Sequence, residues 1–297
     1  MSLLVTLMLA SIVPKAGTSG FDFLNIDPSA REAAIAGSVT SFGGGAMSFW
    51  YNPAHLAEIE NPECQVGYAN YIAGIHLGSL AYSRPLSADL ALGTGIVYLN
   101  SGQMKRTDPE GHELGTFGAS FADIDIAGAF RATSDLVFGL GLRGLYGSID
   151  TFFALGIAGN LGVNYRLEGL SCGFSASNLG TQLKAFRDGV DPLPMEFALG
   201  FCYRPNPAVG LSLSGRKPVS NRFNIRGGIE GWVSDHLVLR AGYSSLGSDL
   251  VGSTGVDALA GFAAGFGIRV RSYQLDYCFV PMAQLGLAHR LALSFAL

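Results

Sequence analysis

The chain has 297 residues, of which 48% are hydrophobic and 14% are charged, and its formal net charge is −4. Ordinary soluble domains carry about 25% charged residues, so this composition indicates a membrane protein. No apolar run approaches the ~18–20 residues that a spanning helix needs, which leaves a closed β-barrel as the way to satisfy every backbone group in lipid. The absence of a basic patch argues against nucleic acid as a partner.

The first segment has the pattern of an export signal. Residues 3–13 form an apolar core that is too short to span a bilayer, and Pro14, Lys15 and Ala16 follow it. Ala16 is the best candidate for the cleavage position, although the usual basic start is missing. The sequence therefore predicts a signal peptide over residues 1–16, and the alternative is a buried N-terminal strand or helix.

Residues 17–60 lack the alternation of strands and predict a plug, or hatch, folded inside a barrel. Asp27 suits the N-cap of a short helix, with Pro28 at its first position and Gly37 at its end. An aromatic run then supplies the candidate ligand or hatch residues, which are Phe49, Trp50, Tyr51, Asn52, Pro53 and Ala54. The rings could line an apolar pocket or merely wedge the plug against the wall, and the sequence leaves both alternatives open.

Residues 61–297 predict an all-β transmembrane barrel of about fourteen antiparallel strands. In residues 122–131, Ile124 and Ile126 share one face and Asp123 shares the other with Asp125. A charge on the lipid face costs about 2–4 kcal/mol at the midplane, so the charged faces are expected to line the lumen. The predicted lumenal charge network comprises Asp123, Asp125, Arg131, Arg143, Arg226 and Glu230.

The last strand carries the clearest alternation. Its apolar face holds Leu291, Leu293, Phe295 and Leu297, and its other face holds Arg290, Ala292, Ser294 and Ala296. A soluble β-sandwich would alternate in the same way, but strand length, low charge and the apolar final strand favour a barrel in the outer membrane. Three longer polar connections, 101–117, 179–194 and 245–257, are predicted on the extracellular side.

The sequence shows no pattern typical of an enzyme or a cofactor site. The five histidines are scattered, and neither G-x-S-x-G nor H-E-x-x-H occurs. Asp123 and Asp125 could act as paired carboxylates, but balancing Arg131 and Arg143 is the simpler role. The four cysteines are far apart and lack metal-site spacing. We therefore expect no catalysis, no metal and no cofactor.

Several stretches, in their order along the chain, resemble the PorV/PorQ family and its PorQ branch most closely. They include Phe23-Leu24, the run 29–34 that begins Ser-Ala-Arg, Asn52-Pro53-Ala54, and residues 101–111. This resemblance implies a fourteen-stranded, FadL-like outer-membrane barrel in the type IX secretion system. It further implies protein transport and cell-surface attachment as the role, with lipopolysaccharide, a PorZ-like surface protein and a sortase complex with PorU and PorV as partners.

Two functions therefore follow as expectations. The first is a docking barrel that anchors the PorZ-like partner at the cell surface through its extracellular loops. The alternative is a FadL-like transporter of hydrophobic small molecules, with the hatch around Asn52 as its gate.

Overall fold

The structure, a computed structural model, describes residues 18–249 and 259–297, so the expected signal peptide lies outside the described residues. Within them, fourteen strands form the wall. They are β1 (Glu63–Asn70), β2 (His76–Pro85), β3 (Leu90–Thr107), β4 (Glu113–Arg131), β5 (Leu136–Ile149), β6 (Phe152–Leu167), β7 (Leu170–Lys184), β8 (Glu196–Asn206), β9 (Val209–Pro218), β10 (Asn224–Ser234), β11 (Leu237–Ser244), β12 (Phe262–Val270), β13 (Tyr273–Pro281) and β14 (Leu287–Ala296). Each strand pairs antiparallel with its chain neighbours, and β1 pairs with β14 to close the barrel.

Side chains sort by parity into an outer apolar face and an inner face. On β14, Leu291 and Leu293 are exposed, whereas Arg290, Ala292 and Ser294 are buried. On β4 and β5, Asp125 and Arg143 are buried within the barrel, and Ile126 and Leu142 point outward. The predicted barrel is thus confirmed, and the soluble sandwich is not formed, because the exposed apolar residues form the outside of one closed wall.

The two ends of the barrel differ in their connections. At the terminus end, where Glu63 and Ala296 lie, adjacent strands are joined by short turns such as residues 132–135. The opposite, loop end carries the longer connections, including residues 185–195. The predicted loop 101–117 is mostly strand, because β3 and β4 extend through it and resume pairing after a register shift between Asn100 and Gln103.

The plug occupies the lumen and contains one short α-helix, α1 (Ala30–Ala34), and 3-10 helices at Asp22–Asn25, Ser48–Trp50 and Pro53–Glu58. The helix begins later than the sequence predicts: its N-cap is Ser29, and Asp27 lies before it in contact with the wall. Among the described residues, the structure has no helix with the length and apolar character required to cross a membrane.

Glycines on the inner face of the wall allow the plug to approach the strand backbone. A Cβ on Gly139 would overlap the backbone of Ala54, and one on Gly162 would overlap the Asn52 side chain. Thr40 and Ser41 approach Gly173 in the same way. The high glycine content, 41 of 297 residues, therefore includes positions where any side chain would displace the plug.

Candidate functional site

The hatch residues are buried and fasten the plug to β6 and β7. The Nδ2 of Asn52 donates to the Thr40 carbonyl at 2.7 Å, and also reaches the carbonyls of Val163 and Phe174 at 3.4 Å each. Its Oδ1 accepts a hydrogen bond from the Ala54 backbone N–H at 3.0 Å, which caps the 3-10 helix that begins at Pro53. Asn52 thus links three backbone segments through a single buried amide.

The aromatic hatch residues pack closely against the wall. Phe49 lies against Gly93 and Gly95 of β3, and Trp50 lies under the guanidinium of Arg143. The cavity that Trp50 and Tyr51 line has a volume of about 20 Å³, enough for little more than one water molecule. This packing favours the wedge over the pocket, and a ligand role for these residues stays a prediction.

The predicted charges lie in separate groups rather than in one network. Arg143 is fully buried and donates from Nε to Asp125 Oδ2 at 2.9 Å, from Nη1 to Asn178 Oδ1 at 2.7 Å and from Nη2 to the Trp50 carbonyl at 2.8 Å. Its guanidinium lies 4.0 Å from the centre of the Trp50 ring. Asp123 Oδ2 lies 4.0 Å from Arg143 Nε, and neither carboxylate oxygen of Asp123 has a hydrogen-bond partner in the part of the chain that the structure describes.

Glu230 belongs to a second group, near the terminus end. It accepts from Arg31 of the plug at 3.0 Å and from Arg240 at 2.6 Å, and Arg240 also pairs with Asp276 at 2.6 Å. Arg31 donates in addition to the carbonyls of Gly43 and Gly44. Burial acts to lower the pKa of Arg31, but the charges of Glu230 and Glu32 outweigh it, so the pKa is raised and the cation is retained.

The other two predicted charges each contact the plug on their own. Arg131 donates to the Ala57 carbonyl at 2.6 Å, and Arg226 donates to the Ala36 carbonyl at 3.4 Å. Arg226 also lies 4.0 Å from the Asp27 carboxylate. The lumenal charges therefore hold the plug at several heights of the barrel.

Sequence reasoning missed a polar anchor at the terminus end. His55 bonds the Val39 carbonyl through Nε2 at 2.8 Å and the Glu58 carboxylate through Nδ1 at 3.2 Å. Each ring nitrogen thus faces an oxygen acceptor, and the imidazole joins two parts of the plug. Burial raises the pKa of Glu58, but the hydrogen bond and charge of His55, with the charge of Arg166, outweigh it and lower the pKa to about 2.

An aromatic cluster at the loop end was also missed, because its members are far apart in sequence. The ring centres of Phe23 and Phe121 are 5.5 Å apart, and those of Phe121 and Phe186 are 6.2 Å apart. Phe21 lies within 6.5 Å of all three. Two rings come from the plug, one from β4 and one from the connection 185–195.

A cavity of about 400 Å³ opens above this cluster, and we call it the aromatic cavity. Its walls are Phe117, Ile149, Phe152 and Phe186, and Arg106, Asp150 and Arg187 complete its lining. The guanidinium of Arg187 lies 4.6 Å from the centre of the Phe152 ring, so its charge covers an aromatic face. The volume falls within the range of about 300–1,000 Å³ that small-molecule sites occupy.

A larger cavity, of about 530 Å³, lies at the terminus end and is polar. Arg31, Glu58, Glu230 and Arg269 are among the residues that line it, together with the glycine loop 43–45 of the plug. The plug thus separates an apolar cavity at the loop end from a charged cavity at the terminus end.

No protein-family model matches the chain, and no curated protein does. Solved structures do match. A TodX deltaS2S3 mutant, a monoaromatic hydrocarbon channel, is similar with a TM-score of 0.68 at 14% identity, over 91% of this chain and 99% of that one. The CymD monoaromatic hydrocarbon channel gives 0.66 at 12% identity, over 94% and 99%. A Pseudomonas aeruginosa FadL homologue gives 0.59 at 12% identity, over 90% and 98%.

These matches correct the expectation drawn from short motifs. Nothing found supports the PorV/PorQ family, a role in type IX secretion, or the PorZ-like, PorU and PorV partners, and the similar structures are hydrocarbon channels and a FadL homologue. The physical reason is that the motif Asn52-Pro53-Ala54 serves to seat a plug on inner-face glycines, which does not depend on a surface partner. The chain is a FadL-like, fourteen-stranded barrel with a small plug, and it resides in the outer membrane.

Proposed function

We propose that this chain is a transporter that takes hydrophobic small molecules across the outer membrane, with residues 17–60 as its hatch and residues 61–297 as its wall. The observation that carries the proposal is the aromatic cavity at the loop end, with the ring of Phe186 shared between the cavity and the cluster below it. A small apolar molecule entering there passes from one aromatic surface to the next, and the charge of Arg187 lies over the face of the Phe152 ring.

The lumen below the cluster supports the same route. The inner wall residues Val97, Leu99 and Leu145 are buried in the same apolar cluster as Phe21 and extend its surface along the wall. Burial of apolar area stabilises such a ligand by about 25 cal/mol per Å², which needs no charged partner. The proposal requires the plug to move, because plug residues fill the middle of the barrel. Two of the similar structures are monoaromatic hydrocarbon channels, which agrees with an apolar cargo.

The test separates saturable binding in the cavity from simple partitioning into lipid. The full-length protein in vesicles is labelled with a photoactivated diazirine derivative of toluene, and labelled residues are mapped by mass spectrometry. Labelling at Phe117 and Phe186 should be competed by excess toluene, whereas labelling at outward-facing Phe138 should not. Labelling that toluene fails to compete at Phe117 and Phe186 would contradict the proposal.

A matched pair of variants tests whether the aromatic cavity is needed for binding and for transport. Phe186→Ala should weaken competition by toluene roughly 3- to 10-fold, because an aromatic contact contributes about 0.5–1.5 kcal/mol beyond area burial. Phe138→Ala removes the same ring from the outer face and should change nothing. Cells that express each variant are then compared for uptake of radiolabelled toluene, and equal uptake by both variants and by cells lacking the protein would refute a transport role.

A further inference from the structure

A row of polar side chains crosses the outer face of the wall at the loop end, where β1 and β14 close the barrel. The backbone register places His289 opposite Asn70, Asn70 opposite His76, and His76 opposite Asn100. Three of these outward-facing residues are exposed, and His289 is half-buried. We call the four residues the polar row. Four adjacent strands thus carry a hydrogen-bonding side chain at one height of a face that is otherwise mostly apolar.

A row of tyrosines lies nearer the terminus end and contacts the polar row. Tyr277, Tyr68 and Tyr98 share one register position, two residues from the polar row on the same face. The hydroxyl of Tyr68 lies 2.8 Å from His76 Nδ1, and that of Tyr277 lies 2.7 Å from His289 Nδ1. Both ring pairs are also stacked, with ring centres 6.0 and 6.1 Å apart. The tyrosines therefore fix the orientation of the two imidazoles.

These contacts leave the polar row rich in free donors. A phenol is a stronger donor than a neutral imidazole, so each hydroxyl donates to Nδ1 and the imidazole proton lies on Nε2. Asn100 uses its Oδ1 to accept from the Gly102 backbone N–H at 2.8 Å, and its Nδ2 lies 3.4 Å from the Tyr98 hydroxyl. Strands β13, β14, β1, β2 and β3 lie wholly within the described residues, and none of their outward-facing residues is Asp or Glu. The surface therefore offers donors without a competing carboxylate.

The height of the polar row places it at the lipid boundary. Strand β1 has 8 residues, so at about 3.3 Å per residue the wall rises at most about 26 Å from the terminus end to Asn70. The apolar band on the outside of such barrels is about 25 Å tall, and the tilt of the strands shortens the rise further. The tyrosines then lie at the interface where aromatic residues collect, and the polar row lies at the level of the lipid headgroups.

We propose that the polar row binds the phosphate of a lipid headgroup in the leaflet at the loop end. The lipid carries a phosphomonoester, because this group presents oxygen acceptors and negative charge to the donors. Adjacent strands lie about 4.8 Å apart, so a phosphate over Asn70 has His76 and His289 on either side, while the acyl chains lie against the tyrosines. A soluble partner would have to displace lipid from the apolar face beside the row. The proposal does not depend on transport, because the polar row shares no residue with the aromatic cavity.

The test uses phosphatidic acid as the probe and native mass spectrometry of the purified full-length protein, released from detergent micelles. One molecule of phosphatidic acid should be retained saturably, at least about 10-fold more tightly than phosphatidylcholine with the same acyl chains. Equal retention of the two lipids would overturn the proposal. Inorganic phosphate in excess should not displace the lipid, because it has no acyl chains. Displacement would assign the row to a soluble anion and overturn the lipid assignment.

A matched set of histidine variants locates the binding. The double variant His76→Phe with His289→Phe keeps two aromatic rings at the lipid boundary but removes both Nε2 donors. It should weaken retention of phosphatidic acid roughly 10- to 100-fold, as expected for hydrogen bonds to a charged group, and should leave phosphatidylcholine unchanged. His112→Phe is the control, because His112 is exposed in the connection between β3 and β4, where it contacts Asp108. An equal loss in both proteins, or no loss in the double variant, would refute the assignment.

A third variant changes the charge at the centre of the row with almost no change in shape. Asn70→Asp places a carboxylate where the phosphate is expected, so it should abolish the preference for phosphatidic acid over phosphatidylcholine. The folded, heat-modifiable form in electrophoresis should be retained. Phe186→Ala should keep the preference, so failure of this proposal and failure of the proposed transport are separately visible. A preference that persists in Asn70→Asp would place the lipid elsewhere and refute the proposal.

Discussion

Removal of the guanidinium of Arg143 should destabilise the protein more than any other single change in the lumen. In Arg143→Met the side chain stays long and becomes apolar, but the Asp125 carboxylate loses the one charged hydrogen-bond donor that it has among the described residues. Breaking a buried ion pair from one side costs about 3–5 kcal/mol. The Trp50 carbonyl and Asn178 Oδ1 also lose a donor, and each unsatisfied acceptor adds about 1 kcal/mol or more.

The neighbouring carboxylate supplies an internal contrast. The Asp123 carboxylate makes no hydrogen bond within the described residues and lies farther from the guanidinium than that of Asp125, so its desolvation and its repulsion of Asp125 offset its attraction to Arg143. Asp123→Asn should therefore leave the free energy of unfolding unchanged or raise it, whereas Asp125→Asn should lower it. In the Arg143→Met background, Asp123→Asn should recover part of the lost stability, because one uncompensated charge is removed.

The assay can report on this position directly. The chain has two tryptophans, so a Trp232→Phe background leaves Trp50, which lies under Arg143, as the single tryptophan. Urea unfolding in lipid vesicles, followed by Trp50 fluorescence, gives the free energy of unfolding for each variant. A loss below about 1 kcal/mol in Arg143→Met, or an equal loss in Asp123→Asn and Asp125→Asn, would refute the argument from buried charge.

Two further predictions concern the seating of the plug. Gly162→Val should displace Asn52 and make the plug sensitive to protease, whereas Gly144→Val, at a glycine with no neighbour within 4 Å of its added Cβ, should leave digestion unchanged. The Glu58 carboxyl has an ordinary pKa of 4.5 and a folded pKa of about 2, so its contribution to stability is present above pH 4.5 and is lost as the pH falls toward 2. Unfolding of Glu58→Gln and the unmodified protein, compared across this pH window, should show a difference at pH 7 that disappears near pH 2, and a constant difference would contradict the role of the His55 contact.

The wall could be predicted from the sequence because a strand repeats every two residues. Ile124 and Ile126 alternate with Asp123 and Asp125, and this alternation predicts which face of the strand lines the lumen. The prediction does not require knowing which strands pair with β4. The partner of each charge could not be predicted in this way. Asp125 meets Arg143 because β4 and β5 pair in that register, and Glu230 meets Arg31 because the plug helix reaches β10.

Contacts between residues distant in sequence were even harder to predict for the plug. Its aromatic run was visible in the sequence, but the cluster of Phe21 with Phe121 and Phe186 joins residues that are 100 and 165 positions apart. The start of α1 was misplaced because Asp27 and Pro28 fit a helix start locally, whereas in the barrel their carbonyls accept hydrogen bonds from Arg290 and Ser79. Tertiary contacts thus overrode a local preference.

The closing seam of the barrel joins β1 to β14, which are separated by more than 200 residues, and the plug lies inside the closed wall. Arg290 and Ser79, on either side of the seam, hold the carbonyls of Asp27 and Pro28, while Asn52 holds β6 and β7 on the far side. Long-range pairing of this kind forms late, because its loop-closure entropy is lost before its contacts are gained. We therefore expect the plug to act as an internal scaffold. The sheet would form around it until the edge strands β1 and β14 pair.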